Sequence, residues 1–169
     1  MDKYNKIILT KNKQRLKVDD FYLKCSIGKK GTTSQKVEGD NKTPKGNYAI
    51  GKLYFRKDQI QNPITSLKTV KITKNMGWCD DIYNPKNYNK LTKVSKKIKH
   101  EKLYRKDDKY NLLIPIKYNY LKPKIPKGSC IFLHLTKDYK PTAGCIALKK
   151  KDFLILIKLI NKNTRIIIH

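Results

Sequence analysis

The stretch that most restricts how this chain can fold is residues 129–150, SCIFLHLTKDYKPTAGCIALKK, where an apolar run carrying a histidine precedes a glycine turn and a cysteine. Residues 130–135 are short, apolar and flanked by turn residues, which predicts a strand. Alternation along it places Cys130, Phe132 and His134 on one face and Ile131, Leu133 and Leu135 on the other. A polar loop, 136–140, leads to Pro141, Thr142, Ala143 and Gly144, and Gly144 can take a positive φ and admit a close neighbour. Ile146 and Leu148 resume the alternation after Cys145. The loop is long enough for an antiparallel return in which His134 and Cys145 meet across two strands.

Such a pair suits nucleophilic chemistry. A free thiol with a pKa of about 8.5 is only a few per cent thiolate near neutral pH, so it needs a base beside it. The imidazole of His134 supplies one, and the consecutive N–H groups of Ala143, Gly144 and Cys145 offer a place for a developing oxyanion. Spacing alone leaves a second reading open, in which Cys145 is a small buried apolar residue and His134 a strand histidine satisfied by a backbone carbonyl.

The same run resembles the active-site segment of the L,D-transpeptidase (YkuD-type) catalytic domain family, a strand histidine followed by Ser/Thr-His-Gly-Cys. His134, Thr142, Gly144 and Cys145 match it, in a divergent form with PTAGC in place of SHGC. Ala143 stands where most members carry a second histidine, and Ala147 where an Arg or Asn often follows the cysteine. Two further blocks are similar to the family, EGDNKTPKG at 38–46 and MGWCDDIYNPKNYN at 76–89, and the Tyr118-Asn119 pair echoes a Tyr-Asn that ends a strand beside the cleft.

The resemblance implies a mainly β fold, an L,D-transpeptidase-like β-sandwich with short helices, one of them near the C-terminus. It implies covalent acyl transfer, in which the Cys145 thiolate, with His134 as base, attacks the amide carbonyl on a diamino-acid residue of a peptidoglycan stem peptide. A D-amino acid leaves, and an amine or water resolves the thioester. Thr142, Ala143 and Gly144 would form the turn that holds the oxyanion. Trp78 and Tyr88 are expected to wall a substrate cleft, with Tyr118 and Asn119 beside it. Asp80, with Cys79 and Asp81, would attract a substrate amine or orient His134. No metal and no cofactor is implied. An L,D-carboxypeptidase on the same fold and a basic, non-enzymatic polyanion-binding protein are the alternatives.

Composition bounds the rest. At 169 residues, with no repeat or linker, the chain predicts one domain over 1–169 and a monomer. A formal net charge of +27 would draw polyanions or carboxylate-bearing substrates to the surface. Of 40 basic residues, however, only Arg15, Arg56, Arg105 and Arg165 are arginine. The lysines are scattered and no helix-turn-helix, RNP or zinc-finger signature is present, so nucleic acid is not the expected partner. Cys25, Cys79, Cys130 and Cys145 show no CxxC spacing that would support a zinc site, and Cys25 shares a strand face with Leu23 and Ile27 and reads as core. Neither the first residues nor the longest apolar run, 153–157, predicts a secretory signal or a membrane span. Family resemblance points to the periplasm or cell envelope, and the chain as read also suits the cytoplasm.

Along the chain, short strands are predicted over 7–10, 15–18 and 21–27, then a long polar loop, 28–46, and a strand over 47–55. Glu38 and Asp40 read as solvated turn carboxylates. Residues 58–109 read as irregular. A strand over 112–120 contains Pro115, which implies an edge or a bulge. Apolar residues at 153, 154, 156, 157 and 160 predict a helix over 150–161, with Asp152 near its start, and 165–168 predicts a last strand.

Overall fold

The computed structural model describes residues 6–169. The strands begin with β1 (Lys6–Leu9), β2 (Arg15–Val18), β3 (Phe21–Ser26), β4 (Thr32–Thr33), β5 (Thr43–Pro44), β6 (Gly46–Ala49), β7 (Leu53–Phe55) and β8 (Thr69–Lys71). They continue with β9 (Met76–Cys79), β10 (Leu91–Lys93), β11 (His100–Lys102), β12 (Leu112–Pro115), β13 (Phe132–Leu135) and β14 (Ile146–Leu148). Helix α1 (Lys150–Leu159) then leads to β15 (Arg165–Ile168).

One ten-stranded sheet runs in the order β6-β15-β1-β2-β3-β14-β13-β12-β7-β8. A small sheet, β10-β9-β11, and the pair β4-β5 stand apart from it. Alternation explains the core: Ile7, Leu9, Leu16, Val18 and Leu23 from one part of the large sheet share a cluster with Leu53, Phe55, Leu112 and Ile114 from the other. Strands so far apart in the order can meet only because the sheet curls. The fold is therefore mainly β, as expected.

Helix α1 closes this core with Phe153, Leu156 and Ile157, an i, i+3, i+4 stripe. No side chain caps its N-terminus, although Asp152 lies in the first turn and Lys158 in the last. Its stability thus comes from packing, where each fully buried apolar side chain contributes about 1.5–3 kcal/mol. Among the described residues no helix is long and apolar enough to cross a membrane.

Several expectations change. The pair β13–β14 is parallel, with Leu133 opposite Ile146 and His134 opposite Ala147, instead of an antiparallel return. The loop doubles back first: Thr142 donates its N–H to the Ile27 carbonyl and accepts from Lys29 N–H, so the chain enters β14 in the direction of β13. Pro115 does not lie on an edge, because β12 is flanked by β13 and β7, but it does face a bulge, since Leu113 pairs with Tyr54 and Ile116 with Ile50, so that residues 51–53 lie opposite only Ile114 and Pro115. It is tolerated as the last residue of its strand, where its carbonyl accepts the Gly51 N–H at 2.8 Å. Segment 58–109 is not irregular throughout, since it supplies β8 to β11. The strand expected over 47–55 divides at Gly51 into β6 and β7, and β13 starts at Phe132 because Cys130 has φ 54°.

Candidate active site

The site forms where β13 meets β14. Cys145 precedes β14 and lies level with Phe132, whose N–H points at the Cys145 Sγ at 3.4 Å. The thiol in turn donates to the Cys130 carbonyl at 3.1 Å. Residues two apart on a strand share a face, so Phe132 and His134 look to the same side as Cys145 and Ala147. His134 and Cys145 accordingly line one cavity of about 600 Å³, together with Thr142, Ala143 and Ala147. The alternation read from the sequence holds: Ile131, Leu133 and Leu135 join the main core, while Phe132 and Cys145 join a second cluster with Trp78, Tyr110 and Leu113.

His134 is 7% exposed. Its Nδ1 lies 2.8 Å from the Leu135 carbonyl, which can only accept, so Nδ1 carries the proton and Nε2 is left with its lone pair free. The Tyr110 ring packs edge-on against the imidazole at 5.3 Å. Burial drives the His134 pKa down to about 4, with the Leu135 carbonyl pulling the other way. Burial also pushes the Cys145 thiol up to about 12, with the Phe132 N–H and, through space, Lys36 opposing and Glu101 adding to the rise. At rest the pair is thus a neutral thiol and a neutral imidazole.

The turn before the cysteine is pinned from several sides. Gly144 has φ 145°, and a Cβ there would sit 2.9 Å from the Lys42 carbonyl, so only glycine fits without movement. Its N–H donates to Thr142 Oγ1 at 3.1 Å, and Thr142 donates to the Cys145 carbonyl at 2.6 Å. Thr43, fully buried, donates to the Gly144 carbonyl and accepts from the Gly28 N–H, both at 2.9 Å. The TP of the EGDNKTPKG block thus fastens the cysteine turn.

The remaining motif residues build the entry to β13. Glu38 accepts from Tyr88 OH at 2.5 Å and Ser129 Oγ at 2.6 Å, and Tyr88 OH accepts from the Gly128 N–H at 3.0 Å. Asn89 accepts from Trp78 Nε1 at 3.0 Å and Cys130 N–H at 3.1 Å, and donates to the carbonyls of Tyr118 and Asn119. Asp40 accepts from Lys36 Nζ at 2.5 Å and from the N–H groups of Val37 and Lys42, which holds its pKa below the usual carboxylate range despite burial. Glu38 and Asp40 are therefore structural acceptors, not the solvated turn carboxylates expected.

Of the expected substrate-binding residues, Trp78 and Tyr88 are buried and do not line the cavity of Cys145. Trp78 meets Phe132 edge-on at 5.3 Å. Asp80 lies 3.5 Å from Lys99 Nζ, and the His134 ring is held by Leu135 rather than by Asp80 or Asp81. Tyr118 lines a second cavity of about 580 Å³ with Lys36, Val37, Pro126 and Lys127. Asn119 donates to the carbonyls of Lys124 and Gly128 and so braces the loop before β13.

The same cavity is also lined by Glu101, Arg105 and Tyr110, none of which the sequence singles out. They sit in a polar stretch with no spacing or composition cue. All four cysteines are free, and among the described residues no group of three His, Cys, Asp or Glu side chains could hold a metal ion.

Comparison with known proteins places these features in context. The family model for the YkuD L,D-transpeptidase catalytic domain matches residues 4–168. A search of curated proteins found no match. Among solved structures, the helical cell shape determining protein Pgp2 from Campylobacter jejuni is similar in fold, at 19% identity and a TM-score of 0.52, covering 97% of this chain and 46% of that one. Bdellovibrio bacteriovorus Bd1075 is similar at 18% identity and a TM-score of 0.50, covering 98% of this chain and 48% of that one. The chain thus spans about half the length of these structures.

Proposed function

Because the chain belongs to the YkuD family of L,D-transpeptidase catalytic domains, we propose that it transfers acyl groups on peptidoglycan stem peptides through a thioester on Cys145. The observation that carries this reading is that Cys145 and His134 occupy adjacent parallel strands and open into one cavity.

His134 Nε2 takes the thiol proton as the sulfur attacks the amide carbonyl on the diamino-acid residue, so the charge pair forms only with the new C–S bond. The Gly144 N–H is engaged by Thr142. The oxyanion therefore falls to the N–H groups of Ala143 and Cys145, which need no side chain at 143. Collapse expels the D-amino acid, whose amine takes the proton from the imidazolium. An amine, giving a crosslink or an exchange, or water then resolves the thioester. Lys137, Lys140 and Lys150 at the cavity would draw carboxylate-bearing peptides toward it.

The test is intact mass after incubating wild type, Cys145→Ala and His134→Gln with tetrapeptide muropeptides and with a carbapenem. A mass gain in wild type that is lost in Cys145→Ala and slowed in His134→Gln is expected. Labelling that persists in Cys145→Ala would overturn the assignment and direct attention to Cys130 or Cys79. Product analysis then separates transfer from hydrolysis.

A further inference from the structure

The lining of the cavity includes four of the chain's 13 acidic residues, Glu101, Asp107, Asp108 and Asp138, in a protein of net charge +27. In three of them both carboxylate oxygens are engaged, Asp108 also accepting from Asn111 Nδ2 and Asp138 from the Lys140 N–H. Asp107 takes both Nε and Nη2 of Arg105, at 2.9 and 2.6 Å. Asp108 pairs with Lys137 at 2.7 Å and Asp138 with Lys140 at 3.1 Å.

Glu101 differs. It receives only the remaining Arg105 nitrogen, Nη1, at 2.6 Å, and the Tyr110 OH at 3.2 Å, both on Oε1. Among the described residues nothing is bonded to its Oε2, and the side chain is 31% exposed. The carboxylate is also held firmly: Glu101 lies on β11 opposite Trp78, and Tyr110 is wedged between it and the rings of Phe132 and His134. A fixed, half-exposed carboxylate with one oxygen unused, in the cavity of the nucleophile, is built to receive a cation.

We propose that Glu101 is the specificity-determining residue of this cavity, its Oε2 accepting the ammonium on the side chain of the substrate's diamino-acid residue. This rests on the reading given under Proposed function and deepens it. The arrangement also ties recognition to reactivity. The Glu101 charge opposes formation of the Cys145 thiolate. An ammonium seated on Oε2 offsets that charge at the moment the correct peptide is bound, whereas a peptide lacking the amine leaves it in force.

Two tetrapeptide stems test this, one with a free side-chain amine on the third residue and one with that amine acetylated. Acylation is followed by intact mass, and binding is followed separately as protection of Cys145 from iodoacetamide. Wild type should acylate the free-amine peptide about tenfold or more faster, as one charge-assisted hydrogen bond provides. Glu101→Gln should bring the ratio close to one, and Glu101→Asp, which keeps a carboxylate, should retain part of it.

Equal rates for the two peptides in wild type overturn the proposal even if no variant folds. An unchanged ratio in Glu101→Gln overturns it as well. If neither peptide acylates the protein, the enzymatic reading fails on its own. Amine-dependent protection that is present in wild type and lost in Glu101→Gln still supports the Glu101 site, whereas protection indifferent to the amine sinks it.

Discussion

The hydroxyl of Thr43 and the carbonyl of Gly144, 101 residues apart in sequence, are joined by a 2.9 Å hydrogen bond in the buried interior. The same hydroxyl accepts the Gly28 N–H, so one side chain ties three segments together beneath the cysteine turn. Thr43→Val keeps the shape but leaves a buried carbonyl and a buried N–H without partners. A loss of about 2–4 kcal/mol in urea unfolding is expected, with slower Cys145 acylation in the protein that remains folded.

Glu38 and Tyr88 act as one unit on the far side of the site. Glu38→Ala strips the acceptor from both Tyr88 OH and Ser129 Oγ, while Tyr88→Phe removes one donor and also the acceptor of the Gly128 N–H. Each should destabilise by about 1–3 kcal/mol. The double variant should cost less than the sum, by about 1 kcal/mol, in a denaturation cycle.

Gly144→Ala tests the close approach of the turn to the Lys42 carbonyl. A φ of 145° and a 2.9 Å contact for the added carbon require backbone movement. Thermal unfolding should show a loss of at least about 1–3 kcal/mol, and acylation should fall further than the change in folded fraction explains.

The pH dependence follows from burial of both reacting groups. The His134 pKa is lowered from 6.5 to about 4, so the base stays unprotonated well below neutrality. Acylation by a small uncharged donor should therefore hold level from about pH 9 down to about pH 5 and decline below that, instead of falling near 6.5. Stability carries the same signature. Between pH 6.5 and about 4 the unfolded chain takes up a proton at His134 that the folded chain refuses, so stability drops as the pH is lowered through this window. The loss is on the order of 3 kcal/mol by linkage and should be absent in His134→Gln. Above about pH 9 the unfolded chain loses the Cys145 proton that the folded chain keeps up to about 12, so stability also declines there; Cys145→Ala should make the decline shallower without abolishing it, because the buried thiols of Cys25 and Cys130 are raised in the same way.

Which parts were legible from residues alone follows the range of the forces involved. The two faces of β13 are a local property with a period of two, and they come out as read. The direction of its neighbour is not local: it depends on Thr142 docking beside Ile27 and Lys29, more than a hundred residues earlier. The helix at α1 announces itself through its apolar stripe, whereas β8, β10 and β11 are short, polar and half-exposed and have no comparable pattern. Trp78, Tyr88 and Asn119 stand out as motif residues, but whether an aromatic ring walls a cleft or braces a loop is decided by what covers it. Glu101 carries no mark at all, because what sets it apart is only that one oxygen fewer is engaged than in its acidic neighbours.

The β13–β14 pair lies inside the ten-stranded sheet, yet the segment joining its two members runs along the rim of the cavity, where Lys137, Asp138 and Lys140 are exposed. Residues spliced into 137–140 would reshape the rim while Cys145 and His134 keep their places on the sheet, making this segment a natural grafting point.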